Sequence, residues 1–119
     1  MGLFSKKKNN ENKDREAFYN NIDSLQKAIV QFKKKRLSKL YLFPIEFGGP
    51  EDVRNIVYVP NFVVEAKISA DRTVRKLLEE GLADNYSCSP EYKGKSFIPS
   101  KLIINGTGKR TFNYTIDIW

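Results

Sequence analysis

Lys101-Leu102-Ile103-Ile104-Asn105-Gly106-Thr107-Gly108-Lys109-Arg110-Thr111-Phe112-Asn113-Tyr114-Thr115-Ile116-Asp117-Ile118 reads as two strands joined by a tight connection. In the second strand Phe112, Tyr114, Ile116 and Ile118 alternate with Thr111, Asn113, Thr115 and Asp117, the period of a pleated strand with one face buried. Asn105-Gly106-Thr107-Gly108 is expected to be the hairpin loop, with glycines where φ must be positive. Upstream, Pro99 ends a loop, and residues 84–89 form a short strand closed by Pro90. Between Asn61 and Glu80 the period changes from two to nearly four. Val63, Ala66, Ala70, Val74 and Leu77 share one helical face with Leu78 beside it. Glu65, Lys67, Arg72, Arg75, Lys76 and Glu79 are expected mostly on the opposite face. Ser69 and Asp71 offer a point for interruption and recapping, and Gly81 is the stop.

Farther toward the N-terminus the same logic gives one helix from about Asp14 to Arg36. Phe18, Ile22, Leu25, Ile29 and Phe32 make its apolar stripe, Asp14 its N-cap, and Lys33-Lys34-Lys35-Arg36 its cationic end. Residues 39–47 read as a strand, with Pro44 at an end, an edge or a bulge. Gly48-Gly49-Pro50-Glu51-Asp52 is a turn, and residues 55–59 are a second strand stopped by Pro60. The fold class is therefore α+β: an N-terminal amphipathic helix, a small mainly antiparallel sheet and a second helix packed on it. Residues 14–119 form the single domain. Residues 1–13 are expected to be a disordered basic N-terminus, since nothing there has apolar spacing.

Composition restricts the chemistry. Histidine is absent from the 119 residues, so no imidazole base, His-based triad or His-ligated metal is available. Cys88 is the one cysteine, which removes internal disulfides and thiolate-rich zinc sites and fits a reducing, cytoplasmic setting. Glu51-Asp52, Glu79-Glu80 and Asp84 are the local carboxylate groups, and none has a context that separates two pKa values into acid and base. No catalytic residue, metal site or cofactor is expected. No apolar run approaches the roughly 18 residues that span a bilayer. Lys6 occupies the position where an N-myristoylation signal needs Ser or Thr, so no stable membrane insertion is expected.

What remains is charge. Lysine and arginine total 21 against 14 acidic residues, a formal +7. The densest run is Lys33-Lys34-Lys35-Arg36 with Lys39 just behind. On a helix Lys33, Lys34 and Lys35 would fan out about 100° apart, which suits a grooved or wrapped polyanion. These five residues are the candidate site for nucleic acid or another polyanion. Tyr41, Tyr58, Tyr86, Tyr92 and Phe97 offer faces for stacking.

Phe47-Gly48-Gly49-Pro50-Glu51-Asp52-Val53-Arg54-Asn55-Ile56-Val57 resembles a segment of the non-specific DNA/RNA endonucleases of the ββα-metal group, as found at the toxic tips of bacterial polymorphic toxins. Leu77-Leu78-Glu79-Glu80-Gly81 looks like the end of that family's helix. Pro90-Glu91-Tyr92-Lys93-Gly94-Lys95-Ser96-Phe97-Ile98-Pro99 looks like its Pro-x-Tyr-x-Gly-x-Ser-x-x-Pro loop. The likeness runs from about Leu40 to Ile116 and implies a nuclease-like scaffold. It departs at the chemistry. The family's water-activating histidine has Tyr41 near its place, and a phenol, protonated at neutral pH, is a poor base. The metal-holding asparagine at the start of the family's helix is replaced by Val63-Val64-Glu65.

The expected function is thus a non-catalytic binding protein with a nuclease-like scaffold, contacting nucleic acid or an acidic protein through its basic surface. The alternative is an immunity or regulatory protein that neutralises a bacterial toxin by protein–protein contact. A third class is an enzyme using Tyr41, Glu46, Glu65 or Asp84 with a metal.

Overall fold

The computed structural model describes the backbone of residues 2–119 and the side chains of residues 12–119. Helix α1 spans Gly2–Asn21 and α2 spans Leu25–Lys33. The single helix expected from Asp14 is therefore two, and Asp14 lies inside α1 rather than at a cap. Ser24 makes the break. Its backbone is extended, and its hydroxyl accepts from the Lys27 amide at 3.2 Å, starting a new helix. The backbone of residues 2–13, expected to be disordered, lies within α1, while the side chains of residues 1–11 lie outside the described residues.

Strands β1 (Leu37–Tyr41) and β2 (Ile56–Pro60) pair antiparallel, with Leu37 opposite Pro60 and Tyr41 opposite Ile56. Helix α3 (Val63–Glu79) follows β2 after a two-residue turn and runs unbroken through Ser69 and Asp71. Strands β3 (Asn85–Glu91), β4 (Lys101–Thr107) and β5 (Phe112–Asp117) form a second, three-stranded antiparallel sheet. The expected sheet thus exists as two. Pro90 sits inside β3, an edge strand, where a missing N–H is tolerated.

The core lies between α3 and the strands. Val57 and Val59 of β2, Val63, Ala70 and Val74 of α3, and Leu102 and Ile104 of β4 are all nearly solvent-free. Gly106 explains how closely α3 approaches β4. A Cβ there would stand 2.8 Å from a Val74 methyl carbon. This glycine is a contact point inside β4, not part of the hairpin loop expected from its sequence, and the turn falls after Thr107. Along β5 the alternation holds, with Ile116 and Ile118 buried, but Tyr114 remains 39% exposed.

Among the described residues of α1, those at its end join this core. Tyr19 stacks near Trp119, ring centres 5.4 Å apart, and Ile22 accepts the Phe97 amide through its carbonyl at 2.8 Å. In α2 the buried residue is Ala28, with Leu25 and Ile29 half-buried. Phe32, expected in the apolar stripe, is 38% exposed and meets Tyr58 at 5.7 Å between ring centres. The break at Ser24 divides the expected stripe, with Phe18 on α1, Ile22 between the helices, and Leu25, Ile29 and Phe32 on α2.

Candidate functional site

Strand β1 stops at Tyr41, earlier than the residue 47 expected from sequence, because the chain turns at Pro44 into a single 3-10 turn, Ile45–Phe47. Gly48 closes that turn at φ 91. Gly49 follows under Phe43, whose carbonyl leaves no room for a Cβ. Asp52 caps a second 3-10 turn, accepting from the Arg54 amide at 2.8 Å. Asn55 fastens the whole loop. Its side chain accepts from the Phe43 amide at 2.8 Å and donates to the carbonyls of Phe43 and Pro50, each at 2.9 Å. The glycines, the aspartate and the asparagine of the Phe-Gly-Gly segment are therefore accounted for by loop architecture.

The loop's aromatic rings point inward. Phe43, Phe47 and Tyr86 meet edge to face, with centroids 5.2–6.3 Å apart. Beneath them lies a polar cluster. Lys67 of α3 is buried, contrary to its expected outward placement, and its Nζ contacts Asp71 Oδ2 at 2.6 Å and the Tyr86 hydroxyl at 3.3 Å. The Tyr86 hydroxyl donates to Asp71 Oδ1, with the Leu42 carbonyl a second acceptor at 3.2 Å. One hydroxyl proton serves one strong bond, and the shorter, charge-assisted contact is the one to the carboxylate. Burial, reinforced by Asp71, raises the phenol pKa far above its ordinary value. Burial also pushes the Cys88 thiol up to about 11.

This cluster borders a cleft of about 140 Å³ lined by Leu40, Tyr41, Glu46, Lys67, Ile68 and Asp71 among others. Tyr41 and Glu46 thus come together there, whereas Glu65 stands exposed on α3 and Asp84 stands exposed before β3. Among the described residues, no group of three or more His, Cys, Asp or Glu side chains is placed to hold a metal ion. The cluster is a satisfied ion pair with a hydroxyl partner rather than a set of free reactive groups. Sequence reasoning missed it, although Val63, Lys67, Ala70 and Val74 keep helical spacing and Asp71 follows Lys67 by one turn.

The basic run is the second region. Lys33 ends α2, Lys34 is its C-cap, and Lys35 adopts left-handed φ 63. The amide of Lys35 bonds the Phe32 carbonyl at 2.9 Å and that of Arg36 bonds the Gln31 carbonyl at 3.0 Å. This is a Schellman closure, whose left-handed position usually takes glycine. The same closure ends α3 with Gly81 at φ 72. The helical fan expected for Lys33–Lys35 is therefore replaced by a reversal of the chain. Asn61 holds the turn, donating to the Lys35 carbonyl at 3.0 Å while its side-chain oxygen accepts from the Ser38 hydroxyl at 2.6 Å.

Lys35 and Lys39 line one open groove of about 480 Å³, together with Phe32, Ser38, Asn61 and Val64. Lys33, Lys34 and Arg36 lie on the adjoining turn. All five cations are exposed, and none has a carboxylate within ion-pair distance among the described residues. Lys39 Nζ lies 5.6 Å from the centre of the Tyr41 ring. Lys93 is elsewhere, over Trp119 and near Glu16.

No helix among the described residues is long and apolar enough to cross a membrane. No family model matches this chain, and neither does any curated protein or solved structure.

Proposed function

We propose that this chain is a non-catalytic binding protein that holds a polyanion, nucleic acid or an acidic protein, against its basic surface, on a nuclease-like scaffold. The observation that carries the reading is the set of exposed cations Lys33, Lys34, Lys35, Arg36 and Lys39, without a carboxylate partner among the described residues, gathered at one turn and its groove. Lys35 strengthens it. A lysine in a left-handed position where glycine costs less is a strained residue, and such residues collect at functional sites. For the scaffold, the support is the order of an antiparallel pair followed by a helix, β1-β2-α3, with the Phe-Gly-Gly loop inside the pair. At the positions where the resembling nucleases carry their base and metal ligand, this chain has Tyr41 and Val63-Val64-Glu65.

A labelled mixed-sequence oligonucleotide and polyglutamate, each titrated at two salt concentrations, test the reading. Binding is expected in the micromolar range, weakening steeply with salt. Replacing Lys34 and Lys35 with alanine should reduce the salt slope for the oligonucleotide by roughly one unit for each phosphate no longer neutralised. No binding of either probe at low salt overturns the proposal.

The alternative, an immunity or regulatory protein acting on a toxin by protein contact, has one observation in its favour. Val30 and Phe32 stand 46% and 38% exposed on α2 beside the basic turn, an apolar contribution that a protein partner would cover.

A further inference from the structure

We infer that the free edge of β1 is a docking site for an extended acidic peptide, which adds to it as a further strand. This rests on the basic-surface reading above and names the partner. β1 belongs to a two-stranded sheet, so β2 satisfies only one of its edges. The direction of each backbone group follows from the register. The Leu42 amide donates to the Asn55 carbonyl at 2.8 Å, one step beyond the Tyr41–Ile56 pair. Bonded and non-bonded pairs alternate in an antiparallel ladder. Leu40–Val57 and Ser38–Val59 are therefore the bonded pairs, and the N–H and C=O groups of Leu37, Lys39 and Tyr41 point away from β2. Leu37 through Leu40 line the open groove, between the end of α2 at Phe32 and Lys35 and the start of α3 at Asn61 and Val64.

Charge selects the occupant. A second copy pairing antiparallel about Lys39 would set lysine opposite lysine, the arrangement that edge lysines prevent. A strand carrying Asp or Glu would instead meet Lys39 and Lys35. A nucleic acid satisfies those cations but has no amide ladder to offer the outward backbone groups. A peptide with alternating acidic and apolar residues uses all of it: carboxylates on the face of Lys39, apolar side chains on the opposite face, that of Leu40, and main chain along β1. At roughly 3.3 Å per residue, the five residues of β1 accommodate a segment of about five to seven.

The test is fluorescence anisotropy with a labelled heptapeptide of alternating glutamate and valine. Two versions N-methylated at odd or at even positions keep the charge and remove alternate backbone donors. Strand addition predicts at least a tenfold loss of affinity for one of these and little for the other. It also predicts that Lys39→Pro, which removes an outward N–H that the β1–β2 ladder does not use, weakens binding at least fivefold beyond Lys39→Ala. If Lys39→Pro fails to fold, the two N-methylated peptides decide alone. Equal binding of all three peptides overturns strand addition. Binding of the oligonucleotide without the peptide overturns this inference and leaves the basic-surface reading standing, whereas failure of both at low salt removes the two together.

Discussion

Replacing Asp71 with asparagine should destabilise the protein by about 3–5 kcal/mol, the cost of leaving one charge of a buried pair without its partner. The structure sets that scale. The Lys67 side chain is 4% exposed, and Asp71 Oδ2 lies 2.6 Å from its Nζ. At that distance and an effective dielectric of about 20, the gross attraction is about 6 kcal/mol, most of it offset in the native protein by the cost of desolvating both ions. Asparagine keeps a partner for the Tyr86 hydroxyl but leaves the ammonium uncompensated. Lys67→Met retains the length of the stem and removes the charge. Because the Asp71 side chain is 17% exposed and keeps its bond from Tyr86, this change should cost only about 1–2 kcal/mol. The double variant should then recover most of what Asp71→Asn loses. Urea unfolding of the four proteins measures this. With a slope near 2 kcal/mol/M, a loss of about 4 kcal/mol lowers the midpoint by about 2 M. A loss below about 1 kcal/mol for Asp71→Asn, or strictly additive losses in the double variant, would refute the buried-pair argument.

Lys35→Gly relieves a left-handed lysine and should raise stability by about 0.5–1 kcal/mol, seen as a higher thermal midpoint, while weakening polyglutamate binding. A lowered midpoint would contradict the strain assigned to that turn. Stability should fall on the alkaline side. Burial raises the Cys88 thiol from 9.0 to about 11 and raises the phenols of Tyr19, Tyr86 and Tyr92 above 10.0, so the unfolded chain releases these protons first. Their stabilisation is complete below about pH 9 and is lost as pH rises above it. Urea midpoints at intervals from about pH 7 to 11 should show this decline, with a smaller drop for Cys88→Ala. Deleting residues 1–12 should move the thermal midpoint by less than about 2 °C, since Phe18 and Tyr19 at the end of α1, and Ile22 just after it, are the described side chains of this segment that reach the core. A larger shift on calorimetry would mean that the deleted segment packs against the domain.

The α+β class is legible because the periods differ. Strand β5 alternates, and α3 repeats near every four residues, whatever surrounds them. Other features depend on partners that sequence does not display. Phe18 through Phe32 keep a helical rhythm across Asp23 and Ser24, so periodicity alone shows no break, and only the cap at Ser24 reveals it. Gly106 has the neighbours of a turn residue, yet its position is set by Val74 on another element. An outward Lys67 is the natural expectation, because isolated buried charge is costly. The signal that contradicts it is the place of Lys67 in the Val63-Lys67-Ala70-Val74 spacing, with Asp71 one turn on.

The basic turn separates what composition conveys from what geometry adds. The run of cations is plain in the sequence, and so is its place near a helix end. Its geometry comes from the way α2 stops. Helices α2 and α3 close with the same hydrogen bonds, but α3 meets the left-handed requirement with Gly81 and α2 meets it with Lys35. The choice at α2 costs about 1 kcal/mol of backbone strain. Asn61 then bridges the Lys35 carbonyl to Ser38, and Arg36 reaches Gln31, so the turn is fixed from both sides of the closure. A fan of helical lysines would spread its charge around an axis. A closed turn tied to the first residues of β1 instead brings Lys35 and Lys39 to one groove, beside backbone groups that no strand among the described residues pairs.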